Sequence, residues 1–125
     1  MSLIVHTARI STRDPDRFDV TRSGAWRWAK REGKAEDLAP SHPFAPSLPL
    51  LMSAKKGVLT FGEYERMYTS EMRASYIRNR AAWDALLARP RVVMFCYEVD
   101  ARECHRSLLA SILVKLGATY AGELS

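Results

Sequence analysis

One stretch constrains the fold more than any other. Val92-Val93-Met94-Phe95-Cys96-Tyr97 is apolar at every position, begins two residues after Pro90, and runs into Glu98-Val99-Asp100. A strand with one wet face alternates apolar and polar residues; an unbroken apolar run of this length belongs to a central strand covered on both faces. Such strands occur in parallel sheets whose crossovers are helical.

The flanking segments read the same way. Leu3 to Ile10 is a short strand rich in β-branched residues. Ser47 is a helix N-cap, with Pro49 in the first turn and Gly57 at the end. Thr60-Phe61-Gly62-Glu63 is a capping box, and Phe61, Tyr64, Met67, Tyr68 and Met72 mark one face of the helix that follows. Ile77 to Leu87 is an amphipathic helix with Trp83, Leu86 and Leu87 inward, stopped by Pro90. From Glu103, residues Leu108, Leu109, Ile112, Leu113 and Leu116 form the stripe of the last helix, Gly117 closes it, and Ala118 to Tyr120 is a final short strand. Strand, helices, strand, helix is the order of an α/β fold: a small three-layer Rossmann-like domain with a mostly parallel sheet. With 125 residues, one domain over 1–125 is expected. Residues 11–46, rich in arginine and carrying Gly24, Gly33, Pro40, Pro43 and Pro46, read as a long loop or insertion, with a short helix over Ala25–Lys34.

Composition excludes several classes. No apolar run approaches the ~20 residues that span a bilayer, and residues 1–10 lack a signal-peptide pattern. Two cysteines eight positions apart are no disulfide framework, so a reducing, cytoplasmic setting is expected. The net charge is +5; over residues 1–34 eight cationic side chains stand against four carboxylates, so +4 of it lies there. Arginine pairs bidentately with phosphate, so the expected partner is a phosphate-bearing small molecule or a nucleic acid. A plain basic surface is the simpler account.

In parallel sheets ligands bind beyond the carboxyl ends of the strands. That places Arg9 beside Cys96, Glu98 and the turn Cys104-His105-Arg106-Ser107 that opens the last helix. Helix N-termini favour anions and lower thiol pKa values. Cys104 is then a candidate nucleophile; His105 and Glu98 are candidate acid–base groups, with Cys96 at the strand end. Arg106, Arg9 and Ser107 are candidate ligand-binding residues. Each has a plainer role: the cysteines pack, His105 caps a carbonyl, Glu98 pairs with an arginine, and Arg106 pairs with Glu98, Asp100 or Glu103. Neighbouring helical positions do not face one way, so Cys104, His105 and Arg106 do not all meet one ligand atom. Cys96 and Arg102 fit the spacing of cysteine phosphatases, but the loop between them has no glycine and two carboxylates. A zinc site from Cys96, Cys104, His105 and His6 is disfavoured by spacing, so no metal is expected. Arg22, Arg27 and Arg31 with Trp26 and Trp28 could form a nucleic-acid contact surface, or the tryptophans could anchor a loop. No Walker loop, dinucleotide glycine pattern or zinc-finger spacing names a cofactor.

The segments Val93-Met94-Phe95-Cys96-Tyr97-Glu98, Cys104-His105-Arg106, Leu109-Ala110 and Leu113-Val114-Lys115-Leu116-Gly117 together resemble the C-terminal signature of the domain of unknown function 488 family. The likeness extends through Arg9, Asp19-Val20-Thr21, Phe44-Ala45-Pro46, Tyr64, Tyr68 and Tyr76. It implies a small Rossmann-like domain of bacteria and phages, and an enzyme or nucleotide-handling protein with no established reaction. Three functions stay open: an enzyme or binding protein for a nucleotide, nucleoside or modified base with an anion-binding pocket; a nucleic-acid-binding accessory protein, phage-derived or not; and a non-catalytic interaction domain.

Overall fold

The computed structural model describes residues 2–9, 11–20, 43–96 and 105–124. Strand β1 (Ile4–Arg9) is followed by a short strand β2 (Arg17–Asp19). Three helices come next: α1 (Leu48–Lys55), α2 (Phe61–Arg78) and α3 (Arg80–Leu87). Then come β3 (Arg91–Cys96), α4 (His105–Lys115) and β4 (Thr119–Glu123). The sheet order is β2-β3-β1-β4 and every pairing is parallel. This is a Rossmann-like α/β domain.

Strand β3 is central, with β1 on one side and β2 on the other. Val92, Val93 and Met94 are all fully buried, so both of its faces are dry. That is the condition its unbroken apolar run requires. Val5 and Thr7 of β1 share the face of Val92 and Met94, where the core gathers Leu3, Leu109, Leu113, Tyr68 and Trp83. Ala8 is buried on the opposite face, level with the half-buried Phe95.

The helix signals in the sequence have local causes. Ser47 caps α1, its Oγ accepting the Leu50 N–H at 3.3 Å, and Gly57 ends the turn at φ +71°. Thr60 and Glu63 complete the capping box of α2 at 3.1 and 2.9 Å. On α2 the buried stripe is Tyr64, Tyr68, Met72 and Ser75; Phe61 and Met67, expected on the same face, are 43 % and 46 % exposed. The contact stripe is narrower than the apolar one, because a four-residue spacing along 64, 68 and 72 already fills the face against α4. The helix expected from Ile77 begins instead at Arg80: α2 continues to Arg78, the backbone breaks at Asn79, and Ile77 is 79 % exposed.

Segment 43–46 is fastened by its carbonyls. The Tyr68 hydroxyl donates to the Phe44 carbonyl at 2.7 Å, and the Ser75 hydroxyl donates to the Pro43 carbonyl at 2.6 Å. Ser75 Oγ in turn accepts from Trp83 Nε1 at 3.1 Å and from Asn79 Nδ2 at 3.2 Å, so one buried hydroxyl joins α2, α3 and the segment before α1. Phe44 also meets the Trp83 ring edge-on at 4.8 Å. Strand β2 was not expected from the sequence, being three residues with only Phe18 apolar; it forms because β3 offers an open ladder. Arg91, at the start of β3, holds Asp14 bidentately at 2.7 and 2.9 Å and Asp16 at 2.9 Å, which anchors the chain entering β2. The hydrogen bonds from Arg91 hold the Asp14 carboxyl below the usual carboxylate range. The predicted helix Ala25–Lys34 lies outside the described residues.

Candidate active site

Because the four strands among the described residues are parallel, their carboxyl ends share one edge. The register sets Arg9 level with Cys96, and Thr7 level with Glu123. Helix α4 starts at the same edge.

A bulge decides which way Glu123 points. Val5 pairs with Tyr120, but His6 pairs with Gly122, so Ala121 is skipped. Side chains alternate faces with period two, and one extra residue reverses every later position. Without the bulge Gly122 would share the face of Thr7 and Glu123 would turn to the other side. With it, Glu123 shares the core face of Val5 and Thr7, beneath α4. Gly122 adopts φ +111°, a backbone region that favours glycine, and a carbon at its Cβ position would meet nothing within 4 Å. The His6 imidazole clamps the turn: its Nδ1 donates to the Gly122 carbonyl at 3.2 Å.

Helix α4 supplies the partner. Arg106 is fully buried, and its guanidinium donates twice to Glu123, Nη2 to Oε2 at 2.7 Å and Nε to Oε1 at 3.2 Å. The Glu123 side chain remains 31 % exposed, so the pair is sealed on the arginine side and open on the carboxylate side. Partial burial opposes ionisation of Glu123. The Arg106 hydrogen bonds, the Thr7 hydroxyl, and the charges of Arg106 and Arg9 outweigh it and hold the carboxyl below the ordinary glutamate value. The buried Thr7 Oγ1 also lies 2.7 Å from the Tyr120 hydroxyl. A carboxylate only accepts, so a Thr7 proton on Glu123 leaves the phenol donating to Thr7. Tyr120, Thr7 and Glu123 thus form a polar chain ending at Arg106. Arg9 is exposed at the end of β1 and has no ion-pair partner among the described residues.

The other predicted residues take their places around this edge. His105 is buried at 5 % exposure, tilted against the Tyr68 ring at 5.6 Å, and its Nε2 donates to the Val20 carbonyl at the end of β2. Ser107 is half-buried in the first turn of α4. The Cys96 backbone closes β3 at the edge. Glu98, Cys104, Arg22, Arg27 and Arg31 lie outside the described residues. Among the described residues no cluster of three or more His, Cys, Asp or Glu side chains could hold a metal ion, and no helix is long and apolar enough to cross a membrane.

A family model, DUF488-N3a, described as the active DUF488-N3 subclade, matches residues 5–117. The chain belongs to the DUF488 family. No curated protein and no solved structure matches it. The match stops at Gly117, so β4 of this DUF488 domain, with Tyr120, Gly122 and Glu123, falls beyond the matched region. Sequence reasoning missed Thr7, Tyr120 and Glu123. One signal for them exists: a glycine inside a strand marks a bulge, and Gly122 stands directly before the only carboxylate of that strand.

Proposed function

We propose that this DUF488 domain is an enzyme acting on a nucleotide, nucleoside or modified base held at the carboxyl ends of β1, β3 and β4. The observation that carries the reading is the Arg106–Glu123 pair: a fully buried guanidinium fixes a solvent-facing carboxylate at the edge, one strand away from Arg9, which makes no ion pair among the described residues. Glu123, kept ionised, is a weak base and a strong acceptor. It suits a sugar hydroxyl or an exocyclic amine, the role an acidic residue takes against ribose in open α/β sheets. Arg9 is the group for the anionic part of the ligand. Arg106 and Thr7 are positioning residues, and Ser107 is a further ligand-binding candidate. The description of the matched subclade as active supports an enzyme. For the chemistry, Cys104, Glu98, Cys96 and His105 are the candidates at the β3–α4 connection. Of these, His105 would have to release Val20 before Nε2 could move a proton.

The test is calorimetric titration with a panel of nucleotides, nucleosides and modified bases, followed by turnover assays on any that bind. Glu123→Gln and Arg9→Gln are expected to weaken binding about tenfold each, the loss of one charged hydrogen-bonding group. Cys104→Ala or His105→Ala is expected to abolish turnover. A panel with no binder overturns the proposal. Strongly salt-dependent binding to DNA or RNA, lost when Arg22, Arg27 and Arg31 are changed together to Gln, would point to the accessory-protein reading.

A further inference from the structure

At the opposite end of α4 the structure has a concavity. It lies between α2 and α4, with Trp83 of α3 at its base, and encloses about 360 Å³. That volume is within the ~300–1,000 Å³ range of small-molecule sites. The lining is apolar at depth: Trp83 and Met72 are buried core residues that close the floor, with Tyr76 and Ile112 above them. At the mouth stand Ile77 of α2 and Leu116, just past the end of α4, 79 % and 37 % exposed. Two cations, Arg73 on α2 and Lys115 on α4, also line it.

Among the described residues neither cation makes an ion pair, whereas nearby Arg80 is held by Asp84 at 3.0 Å and covers the Tyr76 ring. Both helices end near the mouth, and a helix carboxyl end would repel an anion. In α4 the terminal carbonyls are already engaged: Ile112 and Leu113 accept from the Leu116 N–H, Leu113 from Ala118, and Val114 from Gly117. Each terminal turn carries roughly half a negative charge, about one in all for the two helices, so two full cations leave the mouth positive.

We infer that this concavity is a binding site for an amphiphilic monoanion, an apolar alkyl or aryl body seated over Trp83 with one carboxylate at Arg73 and Lys115. The depth selects the body and the unpaired cations select the head. It is separate from the strand-edge site, and it holds or fails independently of the function proposed there.

The experiment uses the full chain and the alkanoates hexanoate, octanoate and decanoate below their micellar concentrations. Binding is measured by titration calorimetry and located by NMR shifts of the Met72, Ile77 and Ile112 methyl groups. Affinity should rise about fourfold per added methylene until the volume is filled. The surface double variant R73Q/K115Q should weaken decanoate about fivefold and leave 1-decanol unchanged. The inference is overturned if decanoate does not saturate, if the alcohol binds as tightly as the acid, or if the shifts lie outside the groove. Concentration-dependent self-association that Ile77→Glu abolishes would assign the surface to a second copy of the chain and overturn it as well.

Discussion

Removing the Glu123 charge should destabilise the domain through a residue that sits on its outermost strand. Arg106 is fully buried, so Glu123→Gln leaves a guanidinium facing an amide that keeps one acceptor and presents an N–H₂ group to a cation. Breaking a fully buried ion pair costs about 3–5 kcal/mol. Here the carboxylate side chain is 31 % exposed, so water screens part of the pair and about 2 kcal/mol is the discounted expectation. For a chain of this length that is a fall in Tm of roughly 6–10 °C. Urea unfolding of wild type, E123Q, R106M and the double variant gives the coupling directly, expected to be at least about 1 kcal/mol. The pH dependence is a second readout. The folded pKa of Glu123 lies below the ordinary value of 4.5, so the stabilisation is fully present above that pH and is lost as pH falls through the folded pKa. Wild type and E123Q should differ at neutral pH and converge in acid. A coupling below about 0.5 kcal/mol, or a difference that does not shrink in acid, would refute the pair as the fixed element of the site.

Other positions give sharper or smaller effects. Gly122→Ala meets no neighbouring atom, so its cost is the backbone alone, about 1–3 kcal/mol by thermal unfolding, and it should reduce ligand binding with Glu123→Gln because the bulge aims the carboxylate. Tyr68→Phe deprives the Phe44 carbonyl of its buried donor and should lower urea stability by about 1–3 kcal/mol. Thr60→Ala removes one half of the α2 capping box and should cost about 1 kcal/mol in the same assay. Thr7→Val takes a hydroxyl from the carboxylate, so the Glu123 pKa should rise toward the ordinary glutamate value in a carboxyl NMR titration.

What the sequence made legible, and what it did not, follows from how local each cause is. The caps at Ser47 and Thr60, the stop after Leu87 and the closing Gly117 are short-range chemistry, and each boundary falls where its residues put it. The apolar run of β3 announced a strand covered on both faces, and the strand–helix order along the chain implied parallel pairing. Strand β2 was invisible because its formation depends on an edge 75 residues away in the chain, held there by Arg91 and the two aspartates. Arg106 was legible as a functional candidate, but only partners near it in sequence, Glu98, Asp100 and Glu103, were in view. Among the described residues its carboxylate partner is 17 positions on, reached after a full helix and a strand, while Glu98, Asp100 and Glu103 lie outside them.

The site itself shows why spacing alone was insufficient. A strand reading of Thr119 to Glu123 with strict alternation puts Tyr120 and Gly122 on the side of Thr7 and sends Glu123 away from Arg106. The ion pair would then need the guanidinium to reach through the sheet. One skipped residue, Ala121, reverses the assignment, and one glycine at positive φ makes the skip cheap. The orientation of the edge carboxylate is therefore specified by two neighbouring residues with no reactive chemistry, while its lowered pKa is specified by Arg106, Thr7 and Arg9 from two other elements. A motif search weights reactive residue types and passes over Ala121 and Gly122. The physical question of which face each position takes does find them, and it places the carboxylate and Arg106 on the same side of the sheet.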